Sequence, residues 1–137
     1  MDIAELHHVT IPCSDIERSA AFYRNVFGLN DIRRPTNRRT TGAWFSVGRQ
    51  QLHLVRNENA TYRQSSAIDQ DDAHFALRVS NFDGALERLR EHGFRDDAAL
   101  DDPMRIEITH HRGFPQAYVL DPDRNIVEIN GWIDKQP

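Results

Sequence analysis

Residues 74–94, HFALRVSNFDGALERLREHGF, decide the fold because they repeat, with different residues, a pattern already present at residues 8–29. In both copies a histidine opens a short alternating apolar run, a serine follows six residues later, and an amphipathic helical pattern runs to a glycine. The repeat predicts a chain built from two similar halves. It also makes His8 and His74 equivalent residues, one in each half.

The first half predicts one strand, one helix and then three strands. Residues 6–12 alternate between apolar and polar side chains, as a strand with one buried face does. Ser14 opens the capping box S-D-I-E, so the helix is expected to begin there, and Gly28 supplies its C-terminal cap. The three short strands that follow are expected at residues 31–34, 42–47 and 51–56.

The second half repeats this order. Ser80 and Asp83 form the equivalent cap, and the helical pattern ends at Gly93. The strands of this half are expected at residues 104–109, 116–120 and 125–130. The polar, aperiodic residues 57–72 connect the halves. The sequence therefore predicts one α+β domain with two βαβββ modules, at about residues 1–64 and 65–137.

The composition is ordinary for a globular protein and excludes several partners. The chain has 137 residues, 28% of them charged, and a formal net charge of -4, so no basic surface favours nucleic acid or a membrane. Its single cysteine, Cys13, ends an apolar strand and is expected to be a buried hydrophobe. Because we find no disulfide framework, no leader and no long apolar run, we expect a cytoplasmic protein.

Four strands each place one potential metal ligand on the face away from the helices, namely His8, His53, His74 and Glu128. The six-residue count back from each serine selects His8 over its neighbour His7, which the alternation places on the opposite face. Isolated histidines on strands are more often surface residues, but the equivalence of His8 and His74 favours a metal. Two histidines and a carboxylate suit a divalent Zn, Mn, Fe or Ni ion, and His53 is a candidate further ligand.

These residues lie in motifs that resemble the vicinal oxygen chelate superfamily, which includes glyoxalase I, fosfomycin-resistance transferases, methylmalonyl-CoA epimerase, extradiol dioxygenases and bleomycin-resistance proteins. The resemblance covers nearly the whole chain. Its motifs are H-x-T-I with the helix S-D-I-E-R-S-A-A-F-Y-R-N-V-F-G-L, then H-F-A-L-R-V, then Y-V-L-D-P-D-R-N-I-V-E-I. The resemblance implies a cupped, partly rolled mixed sheet with helices outside, a homodimer, and a metal held by His8, His74 and Glu128.

Position 53 separates the subfamilies that this chain resembles. Glyoxalase I carries a glutamate there that ligates the metal and transfers a proton, and the epimerase carries a glutamine, whereas this chain has His53. The fosfomycin-resistance transferases are similar at Thr10, in the G-A-W segment at residues 42–44, and at Tyr118. The resemblance therefore implies His53, Thr10 and Tyr118 as candidate catalytic residues.

Basic clusters at residues 33–39 and 110–112 could draw an anionic small molecule to the site, with Arg34 and Arg112 as candidate substrate contacts. Charge clusters are also often only solvated surface. Trp44 is a third candidate substrate contact, although a tryptophan on a strand is more typical of the core. Trp132, near the C-terminus, is expected at a subunit contact.

The leading hypothesis is an enzyme in which a divalent metal ion acts as a Lewis acid on a small oxygen-chelating substrate. The resemblance favours lyase or isomerase chemistry of the glyoxalase type, or a transferase reaction in which glutathione or another thiol is the partner. One alternative is an Fe(II) or Mn(II) extradiol dioxygenase, because two histidines and a glutamate also fit such a site. The other is a metal-free, ligand-sequestering protein of the bleomycin-resistance type.

Overall fold

The computed structural model describes residues 1–35, 41–110 and 113–132. The chain divides into two compact units, Met1–Tyr62 and Arg63–Pro137. Each unit holds one strand, one helix and three further strands, which confirms the α+β class and the two βαβββ modules. The strands form two four-stranded mixed sheets, and neither is closed within the described residues. None of the described helices has the length and hydropathy needed to cross a membrane.

In the first unit a helix connects a strand to the rest of its sheet. Strand β1 spans His8–Cys13, helix α1 spans Ile16–Asn25, and strands β2, β3 and β4 span Asn30–Asp31, Gly42–Val47 and Gln50–Arg56. The strand order is β1-β4-β3-β2. The β1–β4 pair is parallel and the other pairs are antiparallel. A parallel pair needs a crossover connection, and α1 lies within that connection.

The second unit follows the same scheme. Strand β5 spans His74–Arg78, helix α2 spans Phe82–Glu91, and strands β6, β7 and β8 span Glu107–Thr109, Gln116–Leu120 and Ile126–Asn130. The order is β5-β8-β7-β6, with β5 parallel to β8. Strand β6 is shorter than predicted because Arg105 instead forms an isolated bridge with Arg95. Ile106 N–H also donates to the backbone oxygen of Arg95, so this segment pairs away from β7.

Both helices begin one residue later than predicted. Asp15 and Asn81 accept hydrogen bonds from the backbone amides three residues later, at 3.0 and 2.9 Å. The N-caps are therefore Asp15 and Asn81, not Ser14 and Ser80. Aspartate and asparagine cap helices as well as serine does, and here they follow the serine directly. Because both caps move by the same one residue, the two opening histidines remain equivalent.

The core of the first unit lies on one face of its sheet. Leu52, Leu54 and Phe45 are almost fully buried there, and Cys13 is buried as predicted. Tyr23 of α1 is buried as well, with its ring centroid 6.3 Å from that of Phe45. Each such side chain stabilises the fold by roughly 1.5–3 kcal/mol through burial. The opposite face of this sheet is therefore left for polar residues.

In the second unit, side chains are buried on both faces of the central strands. Every residue of β7 and β8 is buried. On one face, Tyr118, Leu120 and Ile126 form an apolar cluster, and Ile68 from the connecting segment packs against it. Ile68 of the connecting segment therefore covers part of the face that carries Tyr118.

Gly42 occupies a position on β3 where a side chain has no room. A Cβ atom there would lie 2.3 Å from the backbone oxygen of Leu54. We therefore expect Gly42→Ala to lower the free energy of unfolding by about 1–3 kcal/mol, as overpacked sites do, measured by urea denaturation. Ser46→Ala on the same strand is the control, with an expected change under about 0.5 kcal/mol. Equal unfolding midpoints for Gly42→Ala and the wild type would contradict this.

Candidate functional site

In the first unit, the sheet face opposite the apolar core carries the predicted site residues. Thr10 is the parallel neighbour of His53, and Trp44 is its antiparallel neighbour. Side-by-side partners share a face, as do residues two apart on one strand. His8 and Gln51, which are also paired, therefore belong to the same surface.

His7 does not point away from His8 as the alternation predicts. The two Nδ1 atoms lie 2.9 Å apart, and the rings meet edge to face with centroids 5.2 Å apart. The reason is that β1 begins at His8, so the strand alternation does not extend to the residue before it. One Nδ1 atom must donate and the other accept, so His7 takes part in setting the tautomer of His8.

His53 lies inside a stack of rings. The ring centroids of Trp44 and His53 lie 3.8 Å apart with an interplanar angle of 5°. The ring centroids of His8 and His53 lie 4.4 Å apart with an interplanar angle of 21°. The His53 residue is only 6% exposed, and its Nε2 atom lies 2.7 Å from Oε1 of Gln51. Trp44 is therefore a half-buried stacking partner of a site residue, and its expected place in the apolar core is wrong.

In the second unit, one sheet face again carries site residues. Nε2 of His74 lies 3.1 Å from Oε2 of Glu128, although the two residues are 54 positions apart in the chain. Tyr118 is the cross-strand partner of Glu128, which places Tyr118 on the same face, a point that periodicity alone leaves open. The Tyr118 and His74 rings meet edge to face with centroids 5.7 Å apart.

Hydrogen bonding assigns the proton on His74. Its Nδ1 atom lies 2.7 Å from the backbone oxygen of Asp72, which can only accept, so Nδ1–H donates. In the neutral ring, Nε2 then presents a lone pair 3.1 Å from the Glu128 carboxylate. Two acceptors this close repel each other unless a cation joins them. That cation is either a proton on Nε2 or a metal ion.

Glu128 is buried and is held by two amide side chains. Gln116 Nε2 donates at 2.7 Å and Asn130 Nδ2 donates at 3.0 Å, both to Oε1, whereas Oε2 faces His74. Burial raises the pKa of Glu128, but the hydrogen bonds from Asn130 and Gln116, together with the contact to His74, outweigh it, so the pKa lies below its ordinary value. The carboxyl group is therefore ionised at neutral pH, and its two oxygens have different partners.

The predicted ligands come together as one pair in each unit, His8 with His53 and His74 with Glu128. Within the described residues, no three His, Cys, Asp or Glu side chains form a group that could hold a metal ion. The donor types still fit a transition metal, which binds imidazole nitrogen and carboxylate oxygen at about 2.0–2.2 Å. Bonds of about that length bring adjacent ligand atoms to roughly 3 Å, which the His74–Glu128 pair matches.

The sequence candidates did not include the two residues that hold Glu128. Asn130 could have been found, because residues two apart on a strand share a face. Gln116 could not, because its contact depends on the register of β7 against β8, where it pairs with Asn130. Gln116 Nε2 also donates to the Tyr118 hydroxyl at 3.1 Å, so one amide joins the tyrosine and the carboxylate.

Arg78 is a further cation on this face that sequence reasoning missed. It pairs across the parallel strands with Asn130, two residues beyond the position beside Glu128. Its guanidinium lies 5.0 Å from the ring centroids of Phe114 and Trp132, and Nη1 donates to a backbone oxygen at 2.8 Å. Within the described part of the chain, no carboxylate pairs with Arg78. It is therefore an oriented positive charge without a counter-ion among those residues.

The predicted substrate contacts have different outcomes. Nε of Arg34 lies 3.3 Å from the point that a Cβ atom on Gly42 would occupy, so Arg34 lies beside the start of β3. Arg112 lies outside the described residues, as does residue range 36–40 of the first basic cluster. Trp132 is 65% exposed, and its role at a subunit contact stays a prediction.

A separate cavity of about 610 Å³ lies beside the N-terminus of α2. Phe82, Leu86, Ile108 and His110 are among its lining residues. None of the predicted ligands lines it, so the size of this cavity does not identify the site. The candidate site consists of the residues that contact His53 and Glu128.

Comparison with known proteins identifies relatives across nearly the whole chain. Residues 5–129 match the sequence model of the Glyoxalase/Bleomycin resistance protein/Dioxygenase superfamily. The chain is also 27% identical over 130 residues to Glyoxylase I 4 of Arabidopsis thaliana, a match that covers 94% of this chain and 71% of that protein.

Solved structures share the fold. A glyoxalase family protein from Bacillus anthracis has a TM-score of 0.77 at 24% identity, covering 96% of this chain and 97% of that one. A mutant of the fosfomycin resistance protein FosX from Listeria monocytogenes, complexed with Mn(II) and 1S,2S-dihydroxypropylphosphonic acid, has a TM-score of 0.69 at 17% identity, with coverage of 95% and 93%. The fold agrees with the sequence match over residues 5–129, and this chain belongs to the Glyoxalase/Bleomycin resistance protein/Dioxygenase superfamily.

Proposed function

We propose that this chain is a divalent-metal-dependent enzyme that acts on a small substrate with two chelating oxygens. The reaction is of the glyoxalase lyase or isomerase type, or it transfers a thiol such as glutathione. The proposed ligands are His8, His74 and Glu128, the ion is Zn, Ni, Mn or Fe, and the assembly is a homodimer. The family supports this proposal, since one relative is named Glyoxylase I 4 and the FosX mutant was solved with Mn(II).

The contact between His74 and Glu128 carries the proposal. The proton on Nδ1 of His74 donates to Asp72, so in the neutral ring the Nε2 lone pair lies 3.1 Å from Oε2 of Glu128. A metal ion would satisfy both atoms at once. The backbone oxygen behind the imidazole is the kind of partner that metal-bound histidines use to hold their tautomer.

When bound, the ion would act as a Lewis acid that polarises the substrate oxygens. Gln116 and Asn130 hold Oε1 of Glu128 and so keep Oε2 toward His74. Asn130 Oδ1 is buried and has no hydrogen-bond donor within the described residues. Because such atoms are rare, we propose that it accepts from a substrate hydroxyl or a water. Thr10 and Tyr118, on the two ligand-bearing faces, are proposed to hydrogen-bond the substrate.

Two arginines support an anionic substrate. Arg78 has an oriented guanidinium and no carboxylate partner within the described residues. In the other unit, Arg34 lies beside Gly42, which is two residues before Trp44 on β3. A carboxylate or phosphonate on the substrate would form charge-assisted hydrogen bonds with such groups, which are about twice as strong as neutral ones. Glutathione, an anionic thiol, can form these hydrogen bonds through its carboxylates, whereas a neutral thiol cannot.

An extradiol dioxygenase is the second candidate. Two histidines and one carboxylate leave open positions on Fe(II) for a catechol and O2. This reaction is favoured by the stacking of His53 on His8, because two stacked imidazole rings cannot both bind the same ion. Without His53, the ion would have three protein ligands, and the remaining coordination positions would be open to the catechol and O2.

Elemental analysis of protein purified without chelator, followed by assays with each metal, tests the proposal. The substrates are hemithioacetals, fosfomycin with thiols, and catechols. We expect a bound divalent metal and turnover in the first or second class, whereas oxygen uptake with catechols would support the dioxygenase. A chain with no metal and no affinity for added Zn, Mn, Ni or Fe would overturn the proposal and leave a metal-free sequestering protein.

Gln116→Met removes one of the two donors to Oε1 of Glu128 while keeping side-chain length. We expect the affinity for Mn(II) or Zn(II), measured by calorimetry on metal-stripped protein, to fall about 10–100-fold, as it does when such supporting residues are lost. The matched control is Gln70→Met. Gln70 donates to a different carboxylate, Glu107, at 2.9 Å, so its loss should leave the metal affinity unchanged. Equal affinities for both variants would rule out this role for Gln116.

Arg78→Met tests the anionic substrate. We expect KM for the hemithioacetal of glutathione to rise about tenfold or more, because a charge-assisted hydrogen bond is worth about 1.5–3 kcal/mol. The hemithioacetal of 2-mercaptoethanol carries no charge, so its KM should be nearly unchanged. A similar rise in KM for both substrates would show that the variant damages the site in general and that Arg78 does not bind the negative charge of the substrate.

A further inference from the structure

We infer that His53 is a positioning residue that holds the imidazole plane of His8, and that it is not itself a metal ligand. This inference rests on the proposed function, because it assumes that His8 binds the ion. It differs from the sequence-based expectation that His53 is a further ligand. The same position carries a metal-binding glutamate in the glyoxalase I pattern.

The stack is the first observation. Strand β4 lies between β1 and β3, so His53 has His8 on one side and Trp44 on the other. The centroid separations are 4.4 and 3.8 Å, and the interplanar angles are 21° and 5°. Trp44 therefore fixes the plane of His53, and His53 in turn presents a flat surface to the exposed ring of His8.

The planes of the two imidazoles cannot converge on one ion. A metal lies close to the plane of each imidazole that binds it, at about 2.1 Å from the nitrogen. Rings stacked at van der Waals spacing and inclined by 21° have planes that meet only on the order of 10 Å away. A common ion for both residues would therefore require the stack to come apart.

The hydrogen bond of His53 removes Nε2 from its possible ligand atoms, and the stacked ring planes argue against Nδ1. Its Nε2 atom lies 2.7 Å from Oε1 of Gln51, and an amide oxygen can only accept. Nε2 therefore carries a proton and donates it, which leaves no lone pair on that nitrogen for a metal. This hydrogen bond to Gln51 also restricts rotation of the His53 ring within its own plane, so the ring keeps one face toward His8.

His8 needs such support because it is the first residue of β1 and is exposed. Among the described residues, its ring contacts the rings of His53 and His7, and Nδ1 of His7 lies 2.9 Å from Nδ1 of His8. The two contacts restrict the tilt of the ring and occupy Nδ1. Nε2 is then the proposed ligand atom of His8, and it has a lone pair when His8 Nδ1 carries the proton and donates to His7 Nδ1.

Three variants separate a ligand from a positioning residue. His53→Phe keeps a flat ring for His8 to stack on but has no nitrogen, whereas His53→Ala removes both. We expect the Mn(II) affinity of His53→Phe to stay within about tenfold of wild type, and that of His53→Ala to fall about 10–100-fold. His8→Phe is the matched control at a proposed ligand, and its affinity should fall more than about 100-fold.

A second measurement uses the wild-type protein and does not depend on how any variant folds. Pulsed electron paramagnetic resonance of the Cu(II)-loaded chain counts the coordinated imidazoles, and we expect two. Three coordinated imidazoles would overturn the inference and leave the proposed function standing. The same conclusion would follow if the Mn(II) affinity of His53→Phe fell by more than about 100-fold, as much as that of His8→Phe. A wild-type chain that binds no divalent metal would instead overturn the proposed function itself.

Discussion

Parallel pairing of the first and last strands of each module is the constraint on which both side-chain pairs of the candidate site depend. A parallel pair requires a crossover, and the helix of each module lies in that connection. The pairing brings residues that are far apart in the chain onto adjacent strands. His74 and Glu128 meet at 3.1 Å only because β5 lies beside β8, and His8 stacks on His53 only because β1 lies beside β4.

A buried carboxylate is stable only when its oxygens are satisfied. Glu128 is 5% exposed, and an unpaired charge at that depth would cost several kcal/mol or would take up a proton. Two amide donors on Oε1 and the imidazole near Oε2 remove that penalty, which is why the pKa is lowered despite the burial. The same bonds direct one oxygen at His74, so the groups that stabilise the fold also orient the candidate ligand.

The residue type at position 53 does not by itself decide its role. Histidine is a common metal ligand, and its place on the polar face of β4 is the place that a ligand needs. The flanking ring of Trp44 and the hydrogen bond to Gln51 favour a positioning role for His53, because both orient the ring with its face toward His8. His53 is therefore inferred to differ in role from the proposed ligands His8, His74 and Glu128.

The sequence by itself determined the duplicated module, the bounds of β3 and β7, and the shared face of His8, Thr10 and His53. These features follow from local periodicity and from the repeat, which need no knowledge of distant strands. Cross-strand register is different, because it depends on which strands become neighbours. Only the tertiary structure decided the face of Tyr118, the hydrogen bond from Gln116 to Glu128 and the stacking of His53. Each of these depends on which strands are neighbours and on their register, and the sequence pattern gives neither.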